Sequence, residues 1–312
     1  MTNAINQHYV PQFLLKNFQI KEKKGKESAI FIFDKVANKE YQGPTKSTGA
    51  ERYFYEVKEQ SYTIEDKLGE YESITGEIIR KILEHKGLKR LTRKEKIIIS
   101  KFLALQILRV PAMRKSFSGF TEAMEEKFNY FESLGVPKPT QNEEKIAHCD
   151  FTLSSVNTFF PFIYNKDWLL CESVSEEYII GDNPVVLNNT FNRERGNLGL
   201  ASNGVEIYMP ISPRYCLLLV CNSVRKTISE KLSNTSAVNP EAKFHAARLN
   251  KFVSNLKRSE TVVSSQDNVI FANSLQVMFA ERFIYSHNKK IFDLPKEMSN
   301  DCDFNKRVFQ FF

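Results

Sequence analysis

Tyr215-Cys216-Leu217-Leu218-Leu219-Val220-Cys221 runs seven residues with almost no polar position. A strand with one face in water alternates apolar and polar side chains, whereas a strand covered on both faces reads as a continuous apolar run. The stretch therefore predicts a central strand, and its surroundings predict the sheet around it. Ile211-Ser212-Pro213-Arg214 reads as a turn leading back to a partner strand, Glu206-Ile207-Tyr208-Met209-Pro210. Upstream, Trp168-Leu169-Leu170-Cys171-Glu172, Tyr178-Ile179-Ile180 and Val185-Val186-Leu187 are further strand candidates. Gly181-Asp182-Asn183-Pro184 joins the last two, and turn chemistry alone accounts for those four residues.

The first sixty residues also read as strands. Ala29-Ile30-Phe31-Ile32-Phe33-Asp34 is a short aromatic-rich apolar run, and Arg52-Tyr53-Phe54-Tyr55-Glu56-Val57 alternates. From Thr63 the period changes to three and four. Ile64, Leu68, Tyr71, Ile74 and Ile78 mark one helix from 63 to about 84, with Thr63 and Asp66 approximating a capping box. Thr92 with Glu95 makes a better box, opening a helix that Pro111 ends or kinks near Val110. Arg114 to Leu134 reads as a further helix, closed by a linker over 135–140. Residues 241–256 and 273–285 read as helices, and 307–312 as a final strand. Helices segregated between strand-rich regions predict an α+β fold with a mixed or antiparallel sheet and a central helical section. The expected organisation is one domain over 1–312, with a β-rich unit at 1–60, helices at 61–135, and a sheet-rich section at 150–312 carrying C-terminal helices.

Composition narrows the class. The chain has 312 residues, a net charge of +7 and five scattered cysteines with no CxxC pair. Cytoplasmic thiols, rather than a disulfide framework or zinc knuckle, are the expectation. No apolar run approaches a membrane span. The positive balance favours polyanionic partners, and it is partly local: Lys89, Arg90, Arg93, Lys94 and Lys96 crowd one helix start, and Lys21, Lys23, Lys24 and Lys26 one loop. No phosphate loop, dinucleotide fingerprint, HExxH helix or GxSxG elbow is present.

Three clusters carry chemistry. His8-Tyr9-Val10-Pro11-Gln12-Phe13 places a histidine, the side chain that titrates nearest neutral pH, among residues made for burial. Gln106 and Arg109 share one face of an otherwise apolar helix. A buried arginine requires an anionic partner, either a structural carboxylate or a bound phosphate or carboxylate gripped by its planar fork. Asp182 and Asn183 sit where a strand ends. The helix from Thr63 adds Glu65 with Glu72 and Glu70 with Glu77, each pair seven apart. These carboxylates read as a solvated face, with a divalent cation as the functional alternative. His148-Cys149-Asp150 is a weaker constellation, because sequence neighbours seldom converge on one atom.

In order, HYVPQFLLKNF at 8–18, ERYFY at 51–55, the IED…YES helix, LQILRVPAMR at 105–114, Trp168 to GDNP at 184, and MPISP at 209–213 resemble a mainly bacterial family catalogued as domain of unknown function 4238. The chain has Gly181 where a small hydroxyl residue is expected. The resemblance implies that the polar residues of these motifs converge on one site, in an accessory or defence-associated protein. The expected activity is a nucleic-acid-processing hydrolase, a nuclease for RNA or single-stranded DNA. In it His8 is general acid or base, Arg109 stabilises phosphate charge, and Asp182 orients His8 or holds a metal. Gln12, Gln106 and Asn183 position substrate. The alternative is a non-enzymatic protein binding a nucleotide or small anion, and a third reading makes the polar residues a buried structural network.

Overall fold

The computed structural model describes residues 5–20, 28–57, 61–191, 198–234 and 240–300. The lysine loop at 21–26, Cys302 and the strand expected at 307–312 lie outside the described residues. The N-terminal elements are β1 (Asn6–His8), α1 (Gln12–Lys16), β2 (Ala29–Asp34), β3 (Lys39–Pro44), β4 (Ala50–Arg52), β5 (Glu56–Val57) and β6 (Tyr62–Thr63). Six helices follow: α2 (Glu65–His85), α3 (Arg93–Leu108), α4 (Pro111–Phe128), α5 (Tyr130–Leu134), α6 (Gln141–Ser154) and α7 (Val156–Tyr164). Then come β7 (Asp167–Ser173), β8 (Ile180–Gly181), β9 (Val186–Asn189), β10 (Val205–Ser212) and β11 (Tyr215–Val220). The chain continues through α8 (Asn222–Asn234), α9 (Pro240–Arg258), β12 (Thr261–Ser264), α10 (Gln266–Phe279), β13 (Phe283–Ser286) and α11 (Asp293–Asn300).

The fold is α+β with mostly antiparallel sheets. The five-stranded sheet has the order β12-β7-β11-β10-β9, with β12 parallel to β7 and every other pair antiparallel. β11 is its middle strand, as the apolar run required. A second sheet, β3-β2-β13-β8, joins the N-terminal strands to strands from the far half of the sequence. Trp168, Leu170, Ile207, Leu217 and Leu219 share one core with Ile99, Phe102 and Leu103 of α3 and with Tyr9, Leu14 and Phe18 of the N-terminal segment.

Several boundaries differ from those expected. The Thr63–Asp66 capping box does not form: α2 starts at Glu65, and Thr63 Oγ1 accepts only from the Glu65 amide at 3.2 Å. The strand expected at 52–57 is two short strands, broken where Tyr53 takes φ +54°. The helix expected to run to Leu134 breaks at Asn129, which is left-handed. Thr140 and Glu143 form a full capping box that starts α6, in a stretch the sequence reading left unassigned. The helix expected over 273–285 is α10 and then β13. The Asp182 carboxylate takes the amides of Glu281, Arg282 and Phe283, which ends the helical ladder without a glycine or proline.

The N-terminal motif is held by one carbonyl. Gly49 O accepts from both Tyr9 N (2.9 Å) and Val10 N (3.1 Å), while β1 pairs with β4. Gly49 has φ +64°, and a Cβ there would lie 2.9 Å from Val10 Cβ. Left-handed strain and overlap act together, so Gly49→Ala is expected to cost about 1–3 kcal/mol. Urea denaturation of the pure variant measures it. A cost below about 0.5 kcal/mol would mean that this loop does not fix the motif.

Candidate functional site

The end of β1, the start of α1, the first turns of α2 and the last turn of α3 meet around His8. β1 delivers His8 opposite Ala50, and α1 returns Gln12 to it, with Gln12 Nε2 3.2 Å from His8 Nε2. The amide nitrogen is a donor, so His8 Nε2 is the acceptor and its proton resides on Nδ1. From α3, Gln106 donates Nε2–H to Tyr9 O at 2.7 Å and accepts at Oε1 from Arg109 Nε at 2.9 Å. Arg109 Nη1 donates to Glu72 Oε1 at 2.7 Å. The Tyr55 hydroxyl links the end of α3 to β1, sharing its proton between Arg109 O (3.2 Å) and His8 O (3.4 Å).

Arg109 is 0% exposed, and Glu72 is the carboxylate its burial demanded. Its Nη2 makes no hydrogen bond among the described residues. Burial works against the guanidinium charge, but Glu72 and the Tyr55 hydroxyl outweigh it and keep the pKa above the ordinary value. Burial also lowers the pKa of His8, partly offset by the Glu72 charge, so the ring is neutral at pH 7. Glu65 lies two turns before Glu72 on α2. Burial, then the charge of Glu72, push its carboxyl up to about 7 against the pull of Arg109. Its Oε2 is buried without a hydrogen-bond partner. His8, Gln12, Glu65 and Glu72 are each partly exposed, so the cluster reaches solvent.

His8, Gln12, Gln106 and Arg109 are thus brought together. Gln106 is fully buried with both ends of its amide engaged, so it positions Arg109 and the Tyr9 backbone, not a substrate. Asp182 does not join them. Both its oxygens accept backbone amides at 2.7–2.8 Å, and burial, opposed by those three amides, leaves its pKa at about 6. Its geometry is that of a helix stop, and its hydrogen bonds among the described residues go to backbone amides, not to His8. Asn183 is buried and lines a void of about 20 Å³ with Val110, Ala112 and Met113.

Glu65 and Glu72 were expected on a solvated face. α2 instead turns them toward Arg109 and leaves Glu70 and Glu77 exposed. The seven-residue spacing was the available signal, and it did not distinguish the two pairs. His148, Cys149 and Asp150 diverge: His148 Nε2–H donates to Leu108 O at 2.8 Å beside Arg114, while Asp150 accepts from the Tyr62 hydroxyl at 2.6 Å. Burial and Arg114 push His148 down to about 4. Among the described residues no three His, Cys, Asp or Glu side chains gather to hold a metal ion.

A family model described as "Protein of unknown function (DUF4238)" matches residues 6–290. The chain belongs to this family. The matched span of the DUF4238 model contains His8, Gln12, Glu65, Glu72, Gln106 and Arg109, so the whole cluster falls within the family's domain. No curated protein and no solved structure matches the chain. Among the described residues no helix is long and apolar enough to cross a membrane.

Proposed function

We propose that the chain is a nucleic-acid-processing hydrolase, a nuclease for RNA or single-stranded DNA, with its acid–base site at His8 and Glu65. One observation carries this reading: the Glu72–Arg109 ion pair acts both on a histidine whose pKa burial lowers and on a carboxyl group raised to about 7. Titratable groups pushed in opposite directions by their surroundings are how acid and base roles are divided near neutral pH. His8 accepts a proton from water at Nε2 once substrate displaces the Gln12 amide. The water oxygen bonds to phosphorus, the bond from phosphorus to the leaving oxygen breaks, and protonated Glu65 gives that oxygen its proton. Solvent then returns the proton from His8 to Glu65. Arg109, already neutralised by Glu72, opposes the rise of Glu65 and fixes the geometry rather than clamping phosphate.

The substrate class follows from charge. His85 ends α2 thirteen residues beyond Glu72, which at 1.5 Å per residue is about 20 Å along the helix. The exposed Lys86, Lys89, Arg90, Arg93 and Lys94 follow it. α9 ends on Lys257 and Arg258, just before Thr261, whose hydroxyl bonds Lys86 O at 2.8 Å. A strand on these cations reaches the His8 cluster along α2. Lys89 is paired with Glu260, and Lys96 lies over the Tyr164 and Trp168 rings, so neither is a free phosphate contact. The four cysteines among the described residues are free, which fits action in the reducing cytoplasm.

The test is cleavage of single-stranded RNA and DNA by the full chain, with magnesium, manganese or EDTA. His8→Ala is expected to lower the rate about 100-fold with an unchanged circular dichroism spectrum. The rate should be bell-shaped in pH, its acid limb set by His8 below 6.5 and its basic limb by Glu65 near 7. A folded His8→Ala variant that cleaves normally would remove His8 from the chemistry. The second reading, a non-enzymatic protein for a nucleotide or small anion, is favoured by the unpartnered Arg109 Nη2. Saturable nucleotide binding that depends on Arg109, without turnover, would establish it.

A further inference from the structure

The five-stranded sheet has a second face. Cross-strand partners Glu206↔Val220, Tyr208↔Leu218 and Leu218↔Leu169 place these side chains on the side away from the α3 core, because Ile207, Leu217, Leu219 and Leu170 point into that core. α9 and α10 both contribute residues to this outer face. Between them lies a cavity of about 460 Å³. Protein interiors contain few voids larger than a water molecule, and the volume falls in the range of small-molecule sites.

Its chemistry is divided. Leu169, Leu218, Val220 and Val262 make an apolar floor, and Phe252 of α9 and Phe271 of α10 add aromatic lining. The polar groups belong to the helices. Arg248, Lys251, Phe252 and Asn255 recur at three- and four-residue steps, so one face of α9 lines the opening. Arg248 and Lys251 form no salt bridge among the described residues, and Arg248 lies 5.9 Å from the Phe244 ring centroid. The one carboxylate of the wall, Glu206, already accepts from Asn188 (2.8 Å), Thr190 (3.0 Å) and Tyr208 (3.1 Å). Tyr178 and Ser264 likewise satisfy each other at 2.9 Å. Two cations and the amides of Asn255 and Asn268 are therefore the groups left to recognise a ligand.

We propose that this cavity binds a small organic anion: an apolar ring or chain that lies on the Leu218 floor, with one acidic group held at Arg248 and Lys251. The site is separated from the His8 cluster by the whole sheet, so it does not depend on the proposed hydrolase activity. An apolar body fixed by a few polar groups is the usual make-up of a ligand pocket, and the guanidinium supplies paired donors for a carboxylate, phosphate or sulfonate.

The probe is 8-anilinonaphthalene-1-sulfonate, titrated by fluorescence into the full chain, with N-phenyl-1-naphthylamine as the uncharged counterpart. One saturable sulfonate site is expected. The exposed double variant Arg248→Glu/Lys251→Glu should weaken it at least tenfold while changing the neutral probe less than twofold. Leu218→Trp, which fills the cavity, should abolish both at an unchanged melting temperature. A competing location is the apolar groove of about 680 Å³ that includes Phe117, Phe120, Phe159 and Phe162. Loss of sulfonate binding in Phe120→Ser with full retention in the charge-reversed variant would overturn the proposal. So would the absence of any saturable binding.

Discussion

Arg109→Ala is expected to destabilise the chain by about 3–5 kcal/mol, the usual cost of removing one partner from a buried ion pair. The side chain is wholly enclosed and bonds Gln106 and Glu72. Its loss leaves Gln106 Oε1 without a donor and Glu72 without its counter-charge, and it frees the Gln106 amide that grips Tyr9 O. Domains are stable by only about 5–15 kcal/mol, so this one truncation removes a fifth or more of the total. Arg109→Lys should recover only part of it, because an ammonium cannot bond Gln106 and Glu72 with the same planar fork. Glu72→Gln separates charge from packing. In the double variant Arg109→Ala/Glu72→Gln the unpaired carboxylate is gone, so the two losses should fall short of additive by about 2 kcal/mol. Urea denaturation of the four proteins gives the cycle. Strict additivity would mean that the 2.7 Å pair contributes nothing as a pair.

Such a network also explains which parts of the site were legible in the sequence. Arg109 announced itself, because a guanidinium inside Leu105-Gln106-Ile107-Leu108 demands a partner. The middle position of β11 and the Thr92–Glu95 box were equally plain, since each depends on neighbours within a few residues. Glu65 and Glu72 were not distinguishable from Glu70 and Glu77. What separates the pairs is the N-terminal segment and the end of α3 closing over one side of α2, a contact between residues 37 apart in Arg109 and Glu72. Asp182 misled for the same reason in reverse. Gly181-Asp182-Asn183-Pro184 looks like a turn with a spare carboxylate, but the carboxylate is used about 100 residues downstream to end α10. Local patterns fixed the elements, and long-range pairing decided which polar groups remained free for chemistry.

Glu65→Gln is expected to lower the cleavage rate by roughly 10²–10⁴-fold, the range of general acid–base catalysis, and to stabilise the fold above neutral pH. The sign follows from the direction of the shift. The carboxyl has an ordinary value near 4.5 and about 7 in the folded chain, because burial and then Glu72 oppose its charge. A raised pKa means that the folded protein holds the proton more tightly than the unfolded chain does. Its contribution is fully present below pH 4.5 and is lost as pH rises through about 7. At roughly 1.4 kcal/mol per pH unit, and discounted because the side chain is partly exposed, the loss by pH 8 is about 1–3 kcal/mol. Glutamine keeps the shape, carries no charge at any pH and loses nothing. The variant should therefore melt with the parent at pH 4.5 and several degrees above it at pH 8. Parallel melting curves would show that Glu65 titrates as an ordinary carboxylate, and retained cleavage would remove it as the acid. Both results together would leave the cluster as the structural tether of the N-terminal segment, with Arg109 as its centre.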